Sequence, residues 1–355
     1  MRIVVTGASG NIGSALLRRL VSSGAHEVVG IARRPPTGGH PFDRVQWVSL
    51  DLADRTSADV LPGAFEGADA VVHLAWGFQP SHDSRYLAAL GVGGTRRVLA
   101  ALATAQVGHI VHLSSVGAYS PKLDDVPVRE DWPTNGVPSS PYSQHKAAAE
   151  RLLDAHERAH PDTVVTRMRP GIVGQRSAGS SLLRYGIPAV VPARFIGHLP
   201  VLPLDRRLVI PMVHADDVAD AVERALETGA AGAFNLSADP PVRADDIASA
   251  LDARLVQVPA PVLRAAMSVL WHARLQQIDP GWLDLGYAVP LMDTTRARTE
   301  LEWAPRVDAI SVLTETISGM RQASSDDTAV LRRRTVPKQL ARLLRRGPIS
   351  QRRLP

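Results

Sequence analysis

The stretch VVTGASGNIGSALLRRL, residues 4–20, decides the fold of this 355-residue chain. A short apolar run is followed by Gly7, Gly10 and Gly13, spaced three residues apart, and then by an amphipathic helical pattern. A glycine turn between a strand and a helix lets the backbone approach a pyrophosphate and directs the helix amide groups at its charge. The stretch therefore predicts a strand, a dinucleotide-binding turn and a helix, with a merely flexible turn as the alternative.

The sequence beyond this stretch alternates short apolar runs with longer helical patterns. Six runs are predicted to be strands: Ile3–Val5, Val28–Ala32, Val45–Leu50, Ala70–Leu74, Ile110–Leu113 and Val164–Met168. Such alternation is typical of an α/β protein with a Rossmann-type, doubly wound parallel sheet. We predict an NAD(P)-binding domain over residues 1–175, a small C-terminal substrate-binding lobe with returning sheet elements over 176–325, and a basic tail over 326–355.

The composition restricts the classes of protein to which the chain can belong. It is 45% hydrophobic and 21% charged, which is ordinary for a globular protein, and no apolar run has the length of a membrane-spanning helix. The chain has no cysteine, which excludes disulfides and a thiol nucleophile and favours a reducing compartment, so we expect a cytoplasmic location. Its twelve histidines lack the spacing of metal ligands, so no metal is predicted.

Basic residues are concentrated at the C-terminal end. Residues 331–355 contain nine Lys or Arg and no acid, so removing these nine charges from the net charge of +5 leaves −4 for residues 1–330. Within VPKQLARLLRRGP, leucines share a helical face that basic residues surround, as in a short interfacial helix. We expect either a disordered, solubilising tail or weak contact with an anionic membrane surface. An acidic body without a second basic surface argues against a nucleic-acid partner.

The end of the second predicted strand bears on the choice of cofactor. Proteins that bind NAD usually place an acid there for the ribose hydroxyls, whereas an arginine accommodates the 2′-phosphate of NADP. Here the sequence GIARRPP provides Arg33 and Arg34, so NADP is the expected cofactor and NAD the alternative. Two solvated loop arginines are the other interpretation. Asp51 and Leu52, just after the third predicted strand, are expected to flank the adenine.

The sequence SPYSQHK holds Tyr142 and Lys146 one turn apart on a predicted helix, and Ser115 follows an earlier strand in HLSSVGAYS. A tyrosine hydroxyl titrates near 10, and we expect the lysine cation, with an oxidised nicotinamide, to lower that pKa. Ser115 then orients the substrate oxygen while Tyr142 transfers a proton. An exposed helix pair without catalytic function is the alternative.

Several motifs follow one another over roughly residues 1–320: TGASGNIG, DL at 51–52, VVHLAW, HLSSVGAYS, PYSQHK, RPGIVG and VHADDVADAV. In this order they resemble the extended short-chain dehydrogenase/reductase family, also called the NAD-dependent epimerase/dehydratase family. The resemblance implies that Ser115, Tyr142 and Lys146 are catalytic. It also implies cofactor contacts from a further set of residues, namely Asn11, Ile12, Leu74, Ala75 and Pro170.

The sequence departs from the family pattern at two positions that bear on the substrate. Gly91, in GVGGT, stands where family members often have the asparagine of NVxGT, and RPGIVG lacks the asparagine that sugar-nucleotide enzymes tend to have. Both departures argue against a sugar-nucleotide substrate. Trp76, Phe78 and Tyr86 are expected to border the nicotinamide side of the cleft, as a substrate wall or as core packing.

These observations predict an NAD(P)-dependent oxidoreductase that transfers hydride between nicotinamide and a carbonyl or alcohol carbon of a small molecule. One alternative is a sugar-nucleotide epimerase or dehydratase, in which hydride leaves and returns within one turnover. A second is a non-catalytic NAD(P)-sensing binding protein, which would need the glycine turn but not the serine, tyrosine and lysine. A homodimer is compatible with the sequence.

Overall fold

The computed structural model describes residues 1–77, 82–186, 193, 200–276 and 278–333. The strands are β1 (Arg2–Thr6), β2 (Glu27–Ala32), β3 (Gln46–Ser49), β4 (Ala70–His73), β5 (His109–Leu113), β6 (Val164–Pro170), β7 (Ile172–Gly174), β8 (Val201–Leu204), β9 (Val209–His214), β10 (Gly232–Leu236), β11 (Ala238–Arg243) and β12 (Arg254–Gln257). The α-helices are α1 (Asn11–Ser23), α2 (Ser57–Phe65), α3 (Ser84–Thr104), α4 (Pro141–Ala159), α5 (Gly179–Gly186), α6 (Ala215–Thr228), α7 (Ala244–Ala250), α8 (Ala260–His272), α9 (Pro280–Ala288), α10 (Thr295–Glu300) and α11 (Ala309–Arg321).

The central sheet has seven parallel strands in the order β10-β6-β5-β4-β1-β2-β3. The chain runs outward from β1 to β3 on one side and from β4 to β10 on the other, so the strand order reverses between β1 and β4. In open α/β sheets the ligand binds beyond the carboxyl ends of the strands at such a reversal. The predicted doubly wound sheet is therefore confirmed, and its topology directs attention to the loops that follow β1, β4 and β5.

Helices cover both faces of the sheet because alternate strand residues are apolar on either side. Ile3 and Val5 of β1 pack with α1 and α6 on one face. Val4, between them in the sequence, packs on the other face with Leu61 of α2 and Leu102 of α3. Both layers are buried and exclude water, which gives the strand ends a rigid support.

The C-terminal part of the chain contributes both to the central sheet and to smaller units. β10 joins the central sheet beside β6, while β11-β9-β7 and β12-β8 form two small sheets. After α11 the chain packs back on the body, since Leu331 is fully buried and Asp327 contacts Gly38 in the loop after β2. The predicted basic helix lies outside the described residues, and the predicted domain division stays a prediction. Within the described part of the chain, no helix has the length and apolarity to cross a membrane.

Candidate active site

The glycine turn after β1 allows the segment that follows β4 to approach closely. Gly7 has a left-handed φ of +71°, and a Cβ there would lie 2.6 Å from the amide nitrogen of Ala75 and 2.8 Å from the carbonyl carbon of Leu74. A Cβ on Gly13 would lie 2.4 Å from the carbonyl oxygen of Gly7. Gly10 precedes α1 and donates its N–H to Gly7 O at 2.9 Å, leaving the first amides of α1 at the mouth of the turn. The expected contacts at Leu74 and Ala75 thus adjoin the glycine turn.

The first residue of α1 is fixed by the segment after β6. The Gln175 side chain donates at 2.7 Å to both the backbone and side-chain oxygens of Asn11, whose Nδ2 donates to Val173 O at 3.2 Å. Ile12, the second residue of α1, packs against the core, and Pro170 ends β6 opposite Leu236 of β10. Gln175 was missed by sequence reasoning, although its place directly after the RPGIVG motif was a usable signal.

Arg33, Arg34, Asp51 and Tyr86 form a polar group beyond β2 and β3, which we call the arginine end. Arg33 donates to the Tyr86 hydroxyl at 2.8 Å, and that hydroxyl donates to the Asp51 carboxylate at 3.0 Å. Leu52 is buried in the core beneath this group. The expectation that Tyr86 borders the nicotinamide side was wrong, because Tyr86 lies in the first turn of α3, where its hydroxyl reaches Asp51.

Arg34 is exposed, and its neighbours are cationic. Burial of part of its guanidinium, together with the charges of Arg332 and Arg33, lowers the pKa of Arg34. Among the residues that the structure describes, no carboxylate forms an ion pair with Arg34. A group of like charges of this kind favours binding of an anion.

The second polar group, which we call the tyrosine end, comprises Ser115, Tyr142 and Lys146 with the rings of Trp76 and Trp282. α4 begins with Ser140 as its cap and Pro141 at its first position, so Tyr142 and Lys146 face the end of β5. The Ser115 side chain hydrogen-bonds Tyr142, and the Lys146 ammonium donates to Leu113 O at 2.7 Å. The structure thus brings together the three residues that sequence analysis singled out.

Two tryptophan rings enclose Tyr142. The Trp282 ring centroid lies 4.8 Å from that of Tyr142, and Trp76 approaches edge-on at 6.5 Å with an interplanar angle of 84°. Trp282 belongs to α9 and was missed by sequence reasoning, because nothing local in the sequence links it to α4. Trp76 lies beside Tyr142, and its expected place on the nicotinamide side stays a prediction, while Phe78 lies outside the described residues.

Burial dominates the electrostatics of the tyrosine end. It raises the pKa of Tyr142 to about 12, with the Ser115 hydrogen bond acting in the opposite direction. It also lowers the pKa of Lys146 to about 7, although Glu150 raises it. Lys146 is not among the groups that shift the pKa of Tyr142 in this structure, and the expectation that the lysine together with an oxidised nicotinamide lowers it stays a prediction. The ammonium is directed at Leu113 O and the Trp76 ring, and the phenol is enclosed by apolar rings.

A buried ion pair between Glu150 and Arg169 lies next to the tyrosine end. Glu150, one turn after Lys146 on α4, accepts hydrogen bonds from Ser114 Oγ at 2.5 Å and Arg169 Nε at 2.9 Å. Burial alone would raise the pKa of Glu150, but Arg169 and Ser114 hold it below its ordinary value. Because Ser114 adjoins Ser115, this carboxylate fixes the end of β5. Its position four residues after Lys146 was a signal that sequence reasoning did not use.

Comparison with known proteins identifies the family. The sequence profile of the NAD dependent epimerase/dehydratase family matches residues 3–237. The chain therefore belongs to this family, and the resemblance and NAD-dependent enzyme class inferred from the motifs are confirmed.

Individual relatives are more distant. The chain is 29% identical over 311 residues to an uncharacterised protein of Mycobacterium tuberculosis, covering 87% of this chain but only 29% of that protein's length. It is 27% identical over 337 residues to a UDP-glucose 4-epimerase of Mycolicibacterium smegmatis, covering 91% of this chain and 100% of the relative. The crystal structure of the Thermotoga maritima UDP-glucose 4-epimerase with UDP-glucose is similar in fold, with a TM-score of 0.69 at 19% identity over 91% of this chain and 99% of that one.

Proposed function

We propose that the protein is an NAD(P)-dependent oxidoreductase that reduces a carbonyl group of a small molecule. The convergence of Ser115, Tyr142 and Lys146 at the end of β5 carries this proposal. The glycine turn fits a dinucleotide, because the absence of a side chain at Gly7 lets the turn pack against Leu74 and Ala75, and because the amides at the start of α1 suit a pyrophosphate. A bound nicotinamide supplies the hydride.

Each of the three side chains has a defined part in the proton transfer. With a pKa of about 12, the Tyr142 hydroxyl stays protonated at neutral pH, which suits a donor to the oxygen of a carbonyl being reduced. Ser115, which hydrogen-bonds the same hydroxyl, holds the substrate oxygen against it. Lys146 offers a cation that stabilises the phenolate formed after the proton leaves. Water is kept from the transfer by the rings of Trp76 and Trp282.

For the cofactor, we propose a preference for NADPH over NADH. The contacts at the arginine end support Arg34 rather than Arg33 as the main ligand of the 2′-phosphate, since Arg33 is held by Tyr86. Arg34 is exposed, cationic and next to Arg332. A phosphate would relieve the repulsion among these guanidinium groups and gain charge-assisted hydrogen bonds.

For the substrate, we propose a carbonyl compound with an apolar face. Trp76 and Trp282 provide flat apolar surfaces beside Tyr142. Gly91 supplies no side-chain amide, and neither does Gly171, the first glycine of the RPGIVG motif. There is no room for a side chain at Gly171, because its Cβ would lie 2.5 Å from Pro211 O. These features favour a hydrophobic ketone or aldehyde over a substrate that needs many hydrogen bonds.

A sugar-nucleotide epimerase or dehydratase is the second candidate function. The names of the Mycolicibacterium smegmatis relative and of the Thermotoga maritima structure favour it. Such an enzyme retains its reduced cofactor through the cycle and returns the hydride to the same substrate.

The two candidates are distinguished by following cofactor absorbance with apolar ketones and aldehydes beside chromatography of a sugar-nucleotide panel. We expect stoichiometric consumption of NADPH with the carbonyl compounds and no cofactor retained after dialysis. Interconversion of sugar-nucleotide isomers, or loss of water from them, without net change in cofactor would contradict the proposal and support the second candidate.

A further inference from the structure

Trp76, which follows β4, makes a contact that the proposed mechanism does not use. The Lys146 ammonium lies 3.7 Å from the centroid of the Trp76 ring, over its face. Tryptophan is the best of the aromatic side chains at binding a cation in this way, and the attraction is strongest where water is excluded. Lys146 is only 2% exposed, so the contact lies in such an environment.

The Trp76 ring packs against Gly91 on α3, where no side chain blocks it. A Cβ on Gly91 would lie 3.0 to 3.3 Å from three carbons of the indole, and no other neighbour comes as close to that point. A Cβ at this position would require the indole to shift away from α3 by a few tenths of an ångström. Gly91, which departs from the family pattern, thus leaves the space that the Trp76 ring fills.

The other groups around Lys146 leave it few partners. Leu113 O accepts one hydrogen bond. Glu150 on α4 is engaged by Arg169 and Ser114. Burial lowers the pKa of His73 on β4 to about 3, so this histidine is neutral and offers no charge.

The remaining groups that face the ammonium give it no negative charge. The pKa of His112 on β5 is held well below its ordinary value by burial, so this histidine is also neutral. Tyr142 on α4 is a neutral phenol at neutral pH. Besides Leu113 O, the Trp76 face is therefore an electron-rich surface in direct contact with the charge.

We propose that Trp76 is a positioning residue that holds the Lys146 ammonium by its indole face, and that Gly91 is the complement that makes room for it. The functional meaning rests on the oxidoreductase proposal, in which Lys146 stabilises the phenolate. The contact itself is testable without a substrate, so the two can fail separately.

The first test is a double-mutant cycle of Trp76→Leu and Lys146→Met in the full chain, followed by urea unfolding at about pH 6 and about pH 9. At pH 6 the lysine is charged, and we expect a coupling of about tenfold in the unfolding equilibrium constant. At pH 9 it is neutral, and the coupling should vanish. Trp76→Phe should retain part of it. Trp271→Leu, at a tryptophan of α8 whose ring stacks on His82, should be additive with Lys146→Met. Additivity at both pH values, or a coupling independent of pH, would overturn the proposal.

The second test uses the steric complement. Gly91→Ala should lower the stability of the wild-type chain because its Cβ crowds the indole, yet raise stability in a Trp76→Ala background because alanine favours helix. Gly63→Ala on α2 is the matched control, since a Cβ there meets nothing within 4 Å, and it should stabilise both backgrounds. If Gly91→Ala stabilises the wild-type chain as Gly63→Ala does, Gly91 is not the complement of Trp76.

The effect of the Trp76 variants on catalysis is measured separately, as NADPH consumption with a substrate found in the carbonyl panel. Trp76→Leu should lower turnover by about tenfold, and Trp76→Phe should restore most of it. If the panel yields no substrate, the oxidoreductase proposal fails and the two stability tests still decide the contact. Full turnover in Trp76→Leu would overturn the positioning role.

Discussion

At the arginine end of the candidate site an arginine faces solvent, whereas at the tyrosine end a lysine is buried against the ring of Trp76. Arg34 is exposed and has cationic neighbours. Lys146 is buried under Trp76, and burial lowers its pKa to about 7. Burial lowers the pKa of both cations, but neighbouring cations add to this effect at the arginine end, whereas Glu150 opposes it at the tyrosine end.

The difference indicates what each end does. An exposed group of cations binds an anion and releases it again, with an affinity that salt reduces. A buried cation beside a half-buried phenol is held ready for a change of charge during a reaction, where partial removal of water strengthens the interactions. The two ends should therefore respond differently to mutation, pH and salt.

The largest expected effect is that of Lys146→Met. Removing the buried cation takes away stabilisation of the phenolate, so turnover should fall by about 100-fold or more, and cofactor should also bind less tightly. Turnover with a substrate from the carbonyl panel and fluorescence titration with NADPH measure the two effects. Lys122→Met, which removes a lysine paired with Asp125 outside the site, is the control and should change neither. An active Lys146→Met variant would show that the tyrosine end does not use its cation.

The next effect is expected at the arginine end. Arg34→Ala should weaken NADPH binding by about tenfold or more, because a charge-assisted hydrogen bond contributes about 1.5 to 3 kcal/mol. NADH, which lacks the 2′-phosphate, should bind as before, and the difference should shrink at high salt. Arg44→Ala, at an exposed arginine in the turn before β3, is the control. Equal losses for both cofactors would show that Arg34 does not distinguish them.

A smaller effect is expected on the pH dependence of stability. Because the pKa of Lys146 falls from its ordinary 10.5 to about 7 on folding, the unfolded chain binds the extra proton between these pH values. The lysine is charged in both states below about pH 7 and neutral in both above about pH 10.5, so the unfolding free energy rises with pH between them. Urea unfolding of wild type and Lys146→Met should therefore diverge from pH 7 to pH 9.5, with wild type gaining relative stability. Parallel profiles would contradict a depressed lysine pKa.

Local patterns in the sequence predicted the first half of the sheet well. All six predicted strands correspond to β1–β6, because apolar runs between helical patterns are read from neighbouring residues alone. β10, which completes the sheet beside β6, was missed, since its five residues carry no distinguishing pattern and pair with a strand far away in sequence. β11 contains two consecutive prolines, which sequence rules associate with loops.

The residues of the candidate site could be predicted from the sequence, but the side chains that surround them could not. The glycine turn and the serine, tyrosine and lysine have motif signatures. The enclosure of Tyr142 by Trp76 and Trp282, and the placement of Tyr86 at the arginine end, arise from packing between distant segments. The raised pKa of Tyr142 follows from that packing, so no sequence pattern could have given its direction.

The central claim is that Tyr142 donates the proton while the cofactor site remains intact without its hydroxyl. The most direct measurement compares Tyr142→Phe with wild type in NADPH affinity and in turnover on the same carbonyl substrate, with Tyr287→Phe, at a tyrosine of α9 whose hydroxyl contacts the backbone of Asp205, as a control. We predict an unchanged dissociation constant for NADPH, a fall in turnover of about 100-fold or more, and a control that behaves as wild type. Full turnover in Tyr142→Phe would contradict the mechanism.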